Sequence, residues 1–168
     1  QGTESFDHVV LAAHSDQTLA MLSNTSPSEA AVLKAIRYQP NHAVLHTDTA
    51  MLPSRPAAWA AWNYERTAAT GQKSARVCLH YLINKLQPLP FAQPVIVSLN
   101  PARDIRPDTV LARIDYAHPV FDAAAIRAQR HVSALQGNGG VWFCGAWTGY
   151  GFHEDGLRSG QTVADRLL

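Results

Sequence analysis

The chain has 168 residues, 46% of them hydrophobic and 16% charged, which is enough apolar material for a packed core and excludes a disordered chain. Fourteen basic against thirteen acidic residues leave a net charge of +1, with no run of Lys or Arg, so no nucleic-acid partner is indicated. No apolar run reaches the roughly 18 residues that span a bilayer. The two cysteines, Cys78 and Cys144, imply no disulfide framework, and a cytoplasmic setting is the expectation.

The first residues, Gln1 to Phe6, lack the basic region and apolar core of a signal peptide. They also lack an initiator methionine, which predicts a segment cut from a longer protein. Phe6 to Ala13 reads as a short buried strand, since Val9, Val10 and Leu11 form the continuous apolar run of a parallel strand covered on both faces. Asp16 is the expected N-cap of a helix through Leu22. Ser26, Pro27 and Glu29 carry the signature of a capping box, predicting a second helix that ends near Arg37, before Pro40.

From Asn41 the pattern changes to strands, at Asn41 to Asp48, Trp59 to Tyr64, Arg76 to Ile83, Pro94 to Leu99 and Val110 to Tyr116. Pro53, Pro56, Gly71, Pro88, Pro90, Pro101 and Pro107 mark the turns between them. A largely antiparallel sheet follows. Asp122 is placed to cap a helix through Leu135, Val141 to Ala146 reads as a second buried strand, and a final helix runs from about Glu154 or Gly156 to Leu168. The fold class is therefore α/β with an α+β inner part. The expected division is residues 1–23 and 137–168 as outer α/β pieces, with 24–136 as the inserted sheet domain.

The stretch Val141 to Leu168 carries the most chemistry. A buried strand delivers the chain to a Gly-rich loop that opens a helix, and the helix start presents unpaired amides and the positive end of its dipole. Such a terminus suits an electron-rich carbonyl or an anionic ring edge.

This stretch resembles the C-terminal FAD-contacting motif of flavin amine oxidases and their desaturase relatives. There a strand ends in Gly-Glu or Gly-Asp before a helix of the pattern Gly-x-x-Ser-Gly-x-x-x-Ala, here Gly156 to Ala164. The nearest likeness is to amine-oxidase-like, predicted NAD/FAD-binding proteins, through the blocks HTDTAMLP (from His46), AWNYE (from Ala61), LNP (from Leu99), YAHPVFD (from Tyr116) and FCGAWTGYGFHEDGLRSG (from Phe143). The resemblance covers essentially the whole chain. It implies the C-terminal part of a two-domain FAD-dependent oxidoreductase: a substrate-domain sheet plus the last strand and helices of a Rossmann-like FAD-binding domain. The parent would abstract a hydride from a C–N or C–C bond of a small-molecule substrate.

The resemblance assigns Glu154, Asp155, Gly156 and Leu157 to flavin contact, chiefly through backbone N–H groups, and puts Gly145 and Ala146 near the ribityl and phosphate portion. Where many relatives have an acidic residue after the strand's glycine, this chain has Ala146. The Gly-x-Gly-x-x-Gly fingerprint that holds the ADP half of FAD is missing, since Gly137, Gly139 and Gly140 precede a strand rather than follow one. The missing N-terminal part of the same protein is thus the expected partner, without which the fragment is inactive. Surfaces it once covered would favour self-association into a homo-oligomer.

Single residues have competing readings. His153, Glu154 and Asp155 form either an acid–base group or an acidic helix start that favours the dipole. His46 and Asp48 share one strand face, and a polar outer face is the expectation over a proton relay or a metal. Trp62 and Tyr64 share a strand face, as substrate-side walls or as sheet packing. Trp147 and Tyr150 are stronger candidates for substrate-side walls, with His153 beside them. Cys78 and Cys144 read as packed thiols. No HExxH or CxxC spacing indicates zinc, and no Gly-x-Ser-x-Gly elbow supports a catalytic serine. Lys85 and Lys73 do not match the lysine motif of amine oxidases. The alternative to the oxidoreductase is a stand-alone α+β module that binds an apolar ligand or a protein partner.

Overall fold

The computed structural model describes residues 2–66 and 77–168. It is a mixed α/β structure with an antiparallel sheet and several helices. The expected turn at Gly71, Lys73, and the expected strand start at Arg76 lie outside the described residues. Two compact units are formed, Gln1–Gln39 with His118–Leu168, and Pro40–Ala117. The division falls elsewhere than at 23/24 and 136/137. The reason is packing: Leu33 and Ile36 share one core with Ala125, Leu135, Phe143 and Trp147.

In the first unit, β1 (Val9–Leu11) pairs in parallel with β7 (Val141–Phe143), Val10 opposite Trp142. Between them in sequence come α1 (Ser15–Met21), α2 (Pro27–Ala35), α3 (Ala123–Gln129) and α4 (Val132–Leu135), and after β7 comes α5 (His153–Leu167). The buried-strand expectation holds for β7. Its side chains alternate, Phe143 joining the core of α2, α3 and α4 while Trp142 and Cys144 meet Val163 and Leu167 of α5. It does not hold for β1, where Val9 is 42% and Val10 44% exposed. Of the apolar run that signalled cover on both faces, Leu11 packs against the core of its unit while Val9 and Val10 stay exposed.

Local signals place most helix ends. The Ser26 hydroxyl accepts the Glu29 amide (3.2 Å), and Glu29 accepts the Ser26 amide (2.8 Å), closing the expected capping box. Asp122 caps α3 through the amides of Ala124 and Ala125, 2.9 Å each. Its helix stops at Gln129 and restarts at Val132, instead of running unbroken to Leu135. Asp16 does not cap α1: the chain enters the helix two residues earlier, from His14, whose amide bonds Gln17 (3.3 Å).

The second unit is built on a sheet of order β3-β4-β5-β2-β6, from β2 (Arg37–His46), β3 (Trp62–Arg66), β4 (Val77–Leu82), β5 (Ile96–Leu99) and β6 (Val110–Val120). The β3–β4, β4–β5 and β2–β5 pairs are antiparallel. β2 begins at Arg37, directly after α2, and runs through Pro40. Trp59 lies ahead of β3, with its indole N–H on the Pro53 carbonyl (2.8 Å). The register puts Leu45, Val97, Tyr81 and Trp62 in one row on one face. On the other face Val44, His46, Ser98, Ile96, His80, Leu82 and Asn63 are buried. That face is covered by Met51, Leu52, Trp59 and Ile105 from the segments between strands.

Candidate functional site

At the end of β7 the chain turns sharply. Gly145 has φ +142°, and a Cβ there would come within 2.9 Å of the Trp147 indole, so only glycine fits. The Ser159 hydroxyl accepts the Gly145 amide (2.9 Å) and donates toward the carbonyls of Gly156 (2.9 Å) and Gly145 (3.2 Å). This serine, noted in the sequence only as part of a helix pattern, is what ties α5 to the strand end. Gln129 donates to the carbonyls of Trp147 (2.9 Å) and Gly149 (2.6 Å), fixing the loop from the α3 side.

α5 starts at His153, earlier than expected, because Asp155 acts backward. Its Oδ2 accepts the amides of Tyr150 (3.1 Å) and Phe152 (2.9 Å). The amides of Asp155 (3.0 Å) and Gly156 (3.2 Å) both donate to the Phe152 carbonyl. Leu157 lies a further residue into the helix. Of the expected amide donors Glu154 therefore remains, together with His153 before it, ahead of the first intrahelical bond. The side chains of His153 and Glu154 are exposed, and Glu154 pairs with Arg158 one turn on (2.8 Å). Ala146 opens the short turn Ala146–Thr148.

The aromatic candidates separate. Trp147 is not a wall: it is buried in the core of its unit, with its indole N–H on the Ala13 carbonyl (3.1 Å). Tyr150 is 73% exposed, and Phe152 and Leu157 are exposed as well. Trp62 and Tyr64 do share a face of β3, and both are exposed, Trp62 meeting Tyr81 edge-on at 5.4 Å between centroids. The structure thus brings Gly145, Ala146 and Glu154 to Leu157 together in one unit, and puts Trp62 and Tyr64 in the other.

No family model and no curated protein matches this chain.

A second cluster was missed in the sequence. His46 and Asp48 do not form a polar outer face; both are buried. The Asp48 amide donates to His46 Nδ1 (3.1 Å), which leaves the proton on Nε2, 2.7 Å from Ser98 Oγ. Ser98 then donates to His80 Nδ1 (2.6 Å), and His80 Nε2 donates to Glu65 (3.1 Å). The chain of hydrogen bonds crosses β2, β5, β4 and β3 with every donor matched. Ser98 is fully buried, so the Ser98–His80–Glu65 set offers no accessible nucleophile.

Burial pushes His46 down to about 4, and burial also lowers His80 against the opposing pull of Glu65. Glu65 lies below the usual carboxylate range: burial acts upward but is outweighed by the hydrogen bonds from Arg103 and His80. Asp48 is lowered likewise, burial being outweighed by the amides of Arg106 and Ala50. Burial raises the Cys144 thiol, and Cys78 is fully buried, as expected of packed thiols. The sequence signal for this cluster was the period of two: Val44 and His46 lie on one face, and Val44 is as apolar a neighbour as a core position has.

Proposed function

We propose that this chain is the C-terminal part of an FAD-dependent, amine oxidase-like oxidoreductase that abstracts a hydride from a C–N or C–C bond. The observation that carries the reading is the passage from the parallel pair β1–β7 through Gly145 into the start of α5. A parallel pair of this kind belongs to larger sheets covered on both faces. The exposed Val9 and Val10 support the reading, as apolar surface that further chain of a larger protein would cover.

The residues present fit a flavin contact made by backbone alone. The His153 and Glu154 amides are oriented at a helix start with a positive dipole end, and the loop before it is pinned by Asp155, Ser159 and Gln129. Asp155 would hold this geometry rather than touch the cofactor. When bound, FAD supplies the hydride acceptor. In the same unit as this helix start, Tyr150 is exposed and is the aromatic proposed for the substrate side.

The test is flavin retention. The chain extended by the segment encoded immediately upstream is expected to purify yellow, and this chain alone colourless. Tight stoichiometric FAD binding by this chain alone, or an upstream segment without Gly-x-Gly-x-x-Gly after a short strand, overturns the reading.

A second reading, a stand-alone binding module, draws on an open cleft of about 930 Å³ lined by residues of the second unit alone. Retention of an apolar small molecule by the purified chain, with no effect of flavin, favours it.

A further inference from the structure

We propose that this cleft is a binding site for an organic anion, with an anionic oxygen head held by Arg106 and Arg103 and an apolar body along Leu52, Pro53, Pro56 and Trp59. The inference concerns the second unit only and stands whether or not the flavin reading does.

The cleft is built from two stretches, 48–59 and 103–106, that one buried carboxylate ties together. Asp48 accepts the amides of Ala50 and Arg106, 3.1 Å each, so both walls are fixed to one another. Each guanidinium in the wall is then aimed by an acid. Arg103 holds both Glu65 oxygens (2.9 and 3.2 Å) and reaches the Ala50 carbonyl (3.2 Å). Arg106 Nε lies 3.5 Å from Asp48.

These pairings do not exhaust the donors. A guanidinium carries five N–H groups. Three are engaged on Arg103, and the terminal nitrogens of Arg106 have no protein acceptor among the described residues.

The sign of the accessible charge follows from burial. The Asp48 side chain is 4% exposed and Glu65 27%, against 64% for Arg106 and 50% for Arg103. Asp48 lines the cleft but is nearly all buried, so a ligand entering it meets more of the cations than of the acids that orient them. Pre-oriented guanidiniums with unused donors favour a carboxylate or a phosphate ester over a neutral or cationic ligand.

The opposite wall is apolar. Leu52 is buried, Pro53 and Pro56 are rigid, and the Trp59 ring is held by its bond to the Pro53 carbonyl. The volume suits a small organic molecule.

The full chain is titrated with hexanoate, hexyl phosphate and inorganic phosphate at constant ionic strength in chloride. The readout is the Trp59 indole N–H resonance, assigned by its loss in Trp59→Phe. A saturable shift is expected with at least one hexyl probe, and the tighter of the two identifies the head group. Inorganic phosphate is expected to bind more weakly than hexyl phosphate. Arg106→Gln is expected to weaken binding of the preferred hexyl probe about tenfold. Arg106→Lys, which keeps the charge beside Asp48 but loses the fork, is expected to weaken it in the same direction.

Absence of a saturable shift with both hexyl probes overturns the site, as does affinity unchanged in both Arg106 variants. Inorganic phosphate binding as tightly as the hexyl probes overturns the apolar half of the proposal.

Discussion

His46 and His80 share one hydroxyl. Their rings approach Ser98 Oγ from two neighbouring strands, at 2.7 and 2.6 Å, and the hydroxyl accepts from the first and donates to the second. Ser98→Ala removes both bonds and leaves a donor on His46 and an acceptor on His80 unpaired in a buried layer. A loss of about 2–6 kcal/mol is expected, from two buried groups at roughly 1–3 kcal/mol each. Urea denaturation of the variant beside the parent chain measures it.

The same layer makes stability depend on pH. His46 titrates at about 4 in the folded chain against 6.5 unfolded, and His80 is shifted in the same direction. The unfolded chain therefore binds protons first. The contribution is intact above about pH 6.5 and declines as pH falls toward 4, by on the order of 3 kcal/mol for His46. The lowered carboxyls of Asp48 and Glu65 act in the acid range below their own unfolded values, so the histidine window is met first. Unfolding free energies at pH 5 and pH 7 are expected to differ by less in His46→Gln than in the parent chain. An equal difference would remove His46 as the source.

Gly145 is the second fixed point. Gly145→Ala puts a side chain at φ +142° and drives its Cβ into the Trp147 indole. The expected cost is about 1–3 kcal/mol of backbone strain, with the clash added to it. If the extended chain retains flavin, the same substitution is expected to release it, because the turn sets the first amides of α5. Thermal unfolding and visible absorbance read the two effects separately.

Trp147 and Tyr150 lie three residues apart and are expected to behave oppositely. Trp147→Ala opens the core shared with Leu33, Phe143 and Leu135, at about 3–5 kcal/mol. Tyr150→Ala, at an exposed position, is expected to stay within about 0.5 kcal/mol. Calorimetry of both variants checks the assignment of core and surface.

The elements governed by near neighbours were legible in the sequence. Ser26 with Glu29 and Asp122 with the next amides need only one turn of chain, so their caps were readable. The alternation that puts Trp62 and Tyr64 on one face needs only the pleat of a strand. Strand existence, the antiparallel pairing of most neighbours, and the glycine-dependent turn before α5 followed from the same local rules. Which face is buried did not, because that depends on residues distant in sequence. His46 and Asp48 became interior only when Ser98, His80 and the Arg106 amide arrived to satisfy them. Trp147 became core because α2 and α3 pack over it, and Asp155 became a loop clamp because Tyr150 and Phe152 fold back upon it. Polarity in a sequence states what a side chain needs. Only the tertiary structure decides whether water or another side chain supplies it.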